Sequence, residues 1–144
     1  MSSAILVCTH GYTSKYLIQT AEMIVGPQEN IGFINFIDGD STLDLKTKYQ
    51  KEIQELDCSK GLLIMVDLFG GTPFNTIAIL AHDNMNMEVI TGVNIPMLVD
   101  TFLSRELLDL RELLVHVETA GRNGITTLKR SIIQEAESEM GDEL

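Results

Sequence analysis

The chain has 144 residues, 44% of them hydrophobic, which is enough for one domain with a real core and too little for two ordinary ones. Its 21 acidic residues against 10 basic ones give a formal net charge of -11, and no basic patch is sustained along the sequence, so nucleic acid is excluded as an expected partner. Two cysteines, Cys8 and Cys58, have neither CxxC spacing nor the density of a disulfide scaffold, and the first residues show no basic leader or cleavage site, so a cytoplasmic protein is expected.

Ala4 to Cys8 is an unbroken apolar run ending at Thr9-His10-Gly11, the composition of a strand buried on both faces. Ser14 to Val25 follows with Leu17, Ile18, Ala21, Ile24 and Val25 on one helical face, closed by Gly26-Pro27. The pattern repeats. Ile31 to Ile37 reads as a strand, and Ser41-Thr42-Leu43-Asp44 opens a helix with the stripe Leu45, Tyr49, Ile53 and Leu56. Gly61 to Val66 is the clearest buried strand, ending at Asp67. In the turn Gly70-Gly71-Thr72-Pro73, Thr72 suits an N-cap and Pro73 the first helical turn, with the helix continuing to His82. Met87 to Thr91 is a fourth strand, leading through Gly92-Val93-Asn94-Ile95 to a helix from Pro96 to about Ser104.

Four βα units in succession predict an α/β fold: a doubly wound, mainly parallel sheet with helices on both faces, for which the order 2-1-3-4 is assumed. Leu107 to Gly121 has helical spacing; Thr126 to Ile133 reads either as a continuation of that helix or as an edge strand. The domain is expected to occupy residues 1–134, with an acidic tail over 135–144.

In open parallel sheets, reactive groups gather beyond the carboxyl ends of the strands, near the point where strand order reverses. His10 follows the first strand and Asp67 the third, so under the assumed order a carboxylate can hold one imidazole nitrogen and leave the other as a nucleophile. The two glycines of Gly70-Gly71 let backbone approach an anion, the following helix start directs N–H groups at it, and Thr72 adds a hydroxyl. Each piece taken singly also fits a plainer role: a turn residue at His10, a turn cap at Asp67, a simple connection at Gly70 to Pro73. Asp38-Gly39-Asp40 reads as helix-start chemistry; no metal site and no cofactor are expected. His82 and His116 read as surface or boundary residues, and Cys8 as a small core side chain.

Together, Thr9-His10-Gly11, Val66-Asp67, Gly70-Gly71-Thr72-Pro73-Phe74-Asn75 and Gly92-Val93-Asn94-Ile95-Pro96-Met97-Leu98 resemble the IIA component of the mannose family of the bacterial sugar phosphotransferase system, from about Ile5 to beyond Gly121. The resemblance implies a phosphotransferase in which His10 accepts a phosphoryl group from the phosphocarrier protein HPr and passes it to a IIB component. Asp67 would orient the histidine, and Gly11, Gly70, Gly71 and Thr72 are the candidate phosphate-binding residues. It further implies a separate IIB polypeptide, an indirect link to the membrane IIC/IID complex, and a homodimer that exchanges a C-terminal edge strand. The sugar stays open, because a IIA component touches only proteins. Serine is frequent where this chain has Thr72, and tryptophan occurs in some members where it has Tyr12 and Phe69. Other classes kept open are a receiver-like or flavodoxin-like regulatory module without phosphohistidine, and a thiol enzyme using Cys8.

Overall fold

A computed structural model describes residues 2–142. Its elements run β1 (Ala4–His10), α1 (Thr13–Val25), β2 (Ile31–Phe36), α2 (Thr42–Glu55), β3 (Leu62–Val66), α3 (Thr72–Ala81), β4 (Met87–Ile90), α4 (Ile95–Ser104), α5 (Leu110–Asn123) and α6 (Leu128–Asp142). The four strands form one parallel sheet in the order β2-β1-β3-β4, as assumed from the sequence.

The central strands are apolar from Ala4 to Cys8 and from Leu62 to Val66 because both of their faces are covered there. Side chains alternate across a strand, so each strand divides its residues between two cores. Ile5, Val7, Leu63 and Met65 pack with Ile18 and Ala21 of α1, Leu98 and Phe102 of α4, and Leu113 and Val117 of α5. Ala4, Leu6, Cys8, Leu62, Ile64 and Val66 pack on the opposite face with Leu45 and Tyr49 of α2 and Ile77 of α3. Each fully buried leucine or isoleucine contributes about 1.5–3 kcal/mol relative to an exposed one, so these two layers hold the strands in register.

Local chemistry sets the helix starts. Ser41 and Asp44 exchange hydrogen bonds in a capping box at α2, and Asp109 and Glu112 do the same at α5. The α5 stretch therefore begins at Leu110, three residues beyond the start of its helical spacing. At α4, the Asn94 side chain accepts from the Met97 amide. At α3 the cap differs from expectation: Gly71 occupies the N-cap, and Thr72 is the first helical residue, with Pro73 behind it. The extended backbone of Gly71 suits the cap, while Thr72 spends its carbonyl on the Thr76 hydroxyl, 2.8 Å away.

The C-terminal segment also corrects the expectation of an edge strand. Among the described residues no strand follows β4, and the segment is the helix α6, which runs through 134–135, the expected end of the domain. Its composition explains this: Leu128, Ile132, Ala136 and Met140 recur every four residues, good helix formers lie between them, and no period-two alternation is present. The Thr127 hydroxyl accepts from the Arg130 amide and caps it. Residues 143 and 144 of the acidic tail lie outside the described residues.

Candidate functional site

β1 and β3 are neighbours, with Cys8 opposite Val66, so the residues that follow these two partners meet at the carboxyl edge of the sheet. His10 is the last residue of β1, and Asp67 is the first beyond β3. One Asp67 oxygen, Oδ2, accepts from the His10 backbone amide at 3.0 Å and lies 2.9 Å from the imidazole Nδ1. Its other oxygen accepts from the Leu68 amide at 3.1 Å. An ionised carboxylate is only an acceptor, so Nδ1 carries the proton and Nε2 keeps a free lone pair. Partial burial pushes the Asp67 carboxyl up, but hydrogen bonds from the His10 amide and imidazole outweigh it and hold the group below its ordinary range.

The imidazole is 44% exposed and its carboxylate partner 27%, so the nucleophile is open while its anchor is half sheltered. The edge of the His10 ring meets Phe36 with centroids 5.5 Å apart. Gly11 turns the chain at φ +68° directly after the histidine, donating its amide to the Phe36 carbonyl at 2.8 Å.

The glycine turn closes the other side of the ring. A Cβ on Gly71 would stand 3.2 Å from His10 Cε1 and 3.8 Å from Nε2, so only glycine leaves the backbone of this turn free beside the reactive nitrogen. Gly70 sits at φ +79°, and its carbonyl accepts from the Asn75 side-chain amide at 2.9 Å, which holds the turn's shape. The N–H groups of Thr72 and Phe74, in the first turn of α3, have no carbonyl one turn earlier within the helix; Pro73 has no N–H at all. The arrangement can therefore place a nucleophilic nitrogen next to backbone donors suited to anionic oxygens.

The structure thus brings His10, Asp67, Gly11, Gly70, Gly71 and Thr72 to one edge. It adds Phe36, for which the sequence carried no signal as a site residue, and Asn75, which closes the glycine-turn motif but was given no role. Phe36 reaches the ring because it lies opposite His10 in the register of β1 with β2. A cleft of about 370 Å³ beside His10 is lined by Tyr12, Phe36, Asp38 and Asp40, and Tyr12, Leu68 and Phe69 expose 59–80% of their surface around the site. Asp40 closes the turn before α2 instead of capping the helix as expected, accepting from the Ile37 amide at 3.1 Å and pairing with Lys48 of α2 at 2.6 Å, while Ser41 is the cap.

Two further histidines also face carboxylates: His82 with Asp83 at 3.0 Å and His116 with Asp100 at 2.6 Å, all on helices or turns at the surface. A histidine and carboxylate in contact are thus not the discriminating feature; the strand end and glycine turn around His10 are. Cys8 is fully buried, and burial pushes its thiol up to about 12, which removes the thiolate a Cys8 nucleophile would need.

The family model described as "PTS system fructose IIA component" (EIIA-man) matches residues 4–118. Over 137 residues the chain is 41% identical to the PTS system mannose-specific EIIAB component of Escherichia coli K12, covering 94% of this chain and 42% of that protein. The chain thus spans less than half the length of that relative. It is 31% identical over 111 residues to the PTS system fructose-specific EIIA component of Bacillus subtilis, covering 77% of this chain and 76% of the relative. The crystal structure of phosphotransferase system component EIIA from Streptococcus agalactiae superposes with a TM-score of 0.80 at 32% identity, over 88% of this chain and 98% of that one. The mannose/sorbose specific IIA subunit from Enterococcus faecalis has a TM-score of 0.81 at 22% identity, over 89% and 96% of the two chains, which bears on the fold alone.

Proposed function

This chain belongs to the family of mannose- and fructose-type IIA components of the sugar phosphotransferase system, and from that premise we propose that it relays a phosphoryl group on His10. Phosphorylated HPr is the donor, a IIB component is the acceptor, and the membrane IIC/IID complex is reached only through that acceptor. The observation that carries this reading is the Nδ1 contact with Asp67, which leaves Nε2 unblocked 3.8 Å from the position of a Gly71 Cβ.

In the forward step the Nε2 lone pair attacks phosphorus, the N–P bond forms, and the bond from phosphorus to the donor breaks with its electrons. The imidazole keeps its Nδ1 proton and becomes cationic, and the Asp67 carboxylate at 2.9 Å stabilises that charge. Backbone N–H groups at Gly71, Thr72 and Phe74, with the Thr72 hydroxyl, take the phosphoryl oxygens, and Gly11 leaves room beside them. Transfer to IIB reverses these bond changes. The exposed Tyr12, Leu68 and Phe69 form the rim on which both protein partners dock in turn, shielding the reacting atoms from water.

A cytoplasmic location belongs to the same reading; no helix among the described residues is long and apolar enough to cross a membrane. So does a homodimer. Leu128, Ile132 and Ile133 of α6 are each more than half exposed, and a second copy of the chain would cover them.

The test is transfer of labelled phosphate from phosphoenolpyruvate through enzyme I and HPr to the native chain and to His10→Ala. One acid-labile, alkali-stable phosphate on the native protein and none on a folded variant is expected. Stoichiometric labelling of His10→Ala would overturn the assignment.

A further inference from the structure

Tyr49 lies in the middle of α2 with no exposed surface, and its hydroxyl is carried into a cluster otherwise made of Leu6, Ile34, Leu45, Ile64 and similar side chains. A buried hydroxyl needs a partner, and this one donates to the carbonyl of Pro73 at 2.8 Å. Pro73 already sits in a helix, where its carbonyl serves the amide four residues on, so the hydroxyl is a second donor to an acceptor with two lone pairs. Nothing in the folding of α3 requires that second bond. The thiol of Cys8 lies beside the same hydroxyl, and Cys8 is two residues before His10 on the same face of β1. One side chain therefore spans the strand that carries the nucleophile and the helix turn that faces it.

Resting on the reading of His10 as the phosphoryl acceptor, we propose that Tyr49 is a positioning residue, setting the first turn of α3 at its working distance from the imidazole and strengthening the Phe74 N–H as a donor to phosphoryl oxygens. The distance matters because Gly71 stands beside the ring: a Cβ added there would fall 3.2 Å from Cε1, so the missing side chain is what lets this turn lie next to the imidazole. The Tyr49 bond to Pro73, made from the layer beneath, stops it from drifting outward. The strengthening is electronic. The Pro73 carbonyl and the Phe74 N–H belong to one peptide unit, and donation to the oxygen draws charge from the nitrogen, making its proton a better donor in a low-dielectric setting. Phe74 is the third residue of α3, among the N–H groups that have no acceptor within the helix.

Tyr49→Phe removes the hydroxyl alone and keeps the ring that fills the core. Single-turnover phosphorylation by phosphorylated HPr should slow by about tenfold, the effect of one lost hydrogen bond on a transition state, while the HPr concentration giving half the maximal rate stays unchanged. The amide resonances of Gly71, Thr72 and Phe74 should move in the same variant. Leu45→Val, one helical turn away in the same buried stripe, is the comparison: it should lower the Tm and leave the rate at the native value. A Tyr49→Phe protein that accepts phosphate at the native rate overturns the proposal, as does a Leu45→Val protein slowed to the same degree. In the native protein the buried Tyr49 hydroxyl proton should give a slowly exchanging resonance that shifts when His10 is phosphorylated, and an unmoved resonance also overturns the proposal, whether or not Tyr49→Phe folds. Failure of native His10 to take label refutes the relay itself. Normal labelling with an unaffected Tyr49→Phe refutes only the role of Tyr49.

Discussion

Replacing Asp67 with Asn changes little in shape and removes one negative charge from directly behind the nucleophile. The carboxylate accepts three N–H groups, two of them from His10, at 2.9–3.1 Å. Hydrogen bonds to a charged group contribute about 1.5–3 kcal/mol, and the imidazole bond strengthens as the ring becomes cationic in the transition state. Because the imidazole is 44% exposed, solvent screening reduces the effect toward the lower part of that range. A barrier higher by about 1.5–2.5 kcal/mol corresponds to phosphorylation slowed by roughly tenfold to seventyfold. The assay is rapid-quench measurement of label appearing on Asp67→Asn from phosphorylated HPr, with Tm as the check on folding. A rate within twofold of the native protein at neutral pH would refute the account of Asp67 as the base that stabilises phosphohistidine. The same pair of proteins tests the pH linkage. The folded carboxyl lies below the unfolded value of about 3.9, so Asp67 stabilises the fold fully above that value and loses the contribution as pH falls through its folded pKa. Urea melts should therefore show a stability difference between native and variant that narrows as pH falls below about 4.

Three other substitutions or reactions follow from single contacts. Gly71→Ala has no backbone penalty at φ −77°, yet its methyl group would crowd His10 Cε1; transfer should fall by about tenfold or more with the Tm nearly unchanged, as read by labelling and calorimetry. Cys8 should not react with a thiol reagent in the native protein and should react at once in urea, since it is fully buried and its thiol is pushed up to about 12; rapid native reaction would contradict the packing. Thr9 has a buried hydroxyl with no partner among the described residues, so Thr9→Val should raise stability by about 1 kcal/mol in urea unfolding, and a loss would show that the oxygen has a partner after all.

How far the molecule could be read in advance differs from element to element. The apolar runs Ala4 to Cys8 and Leu62–Val66 were plain, because a strand covered on both faces is apolar throughout, while the polar Thr9 and His10 hid the last two residues of β1. The start of α2 was equally visible, since a cap is chemistry within a few residues, whereas α4 begins at Ile95, one residue before the Pro96 read from the sequence, behind an Asn94 cap. At α3 the same local rule chose the wrong residue: Thr72 is a good cap by type, but the extended backbone of Gly71 comes first and Thr72 enters the helix. The segment after Gly124 was ambiguous for a different reason: Gly121 and Gly124 interrupt the preceding helical pattern, and the four-residue spacing from Leu128 to Met140 shows only when the helix extending to Asp142 is considered as a whole.

What the sequence by itself determined is the set of groups with chemistry to offer: the order of βα units, a histidine at one strand end, an aspartate at another, and a glycine turn opening a helix. Each depends on neighbours within a few positions, which is the range over which backbone propensity and capping act. What only the tertiary structure decided is which of these groups meet. His10 and Asp67 are 57 residues apart, and they touch because β3 lies beside β1 in a register set by two apolar layers packing on opposite faces of the sheet. The edge contact from Phe36, the approach of Gly71 to the ring and the bond from Tyr49 to Pro73 depend on that same packing. None has a local signature, because the energy that creates it is the burial of surfaces distant in the chain.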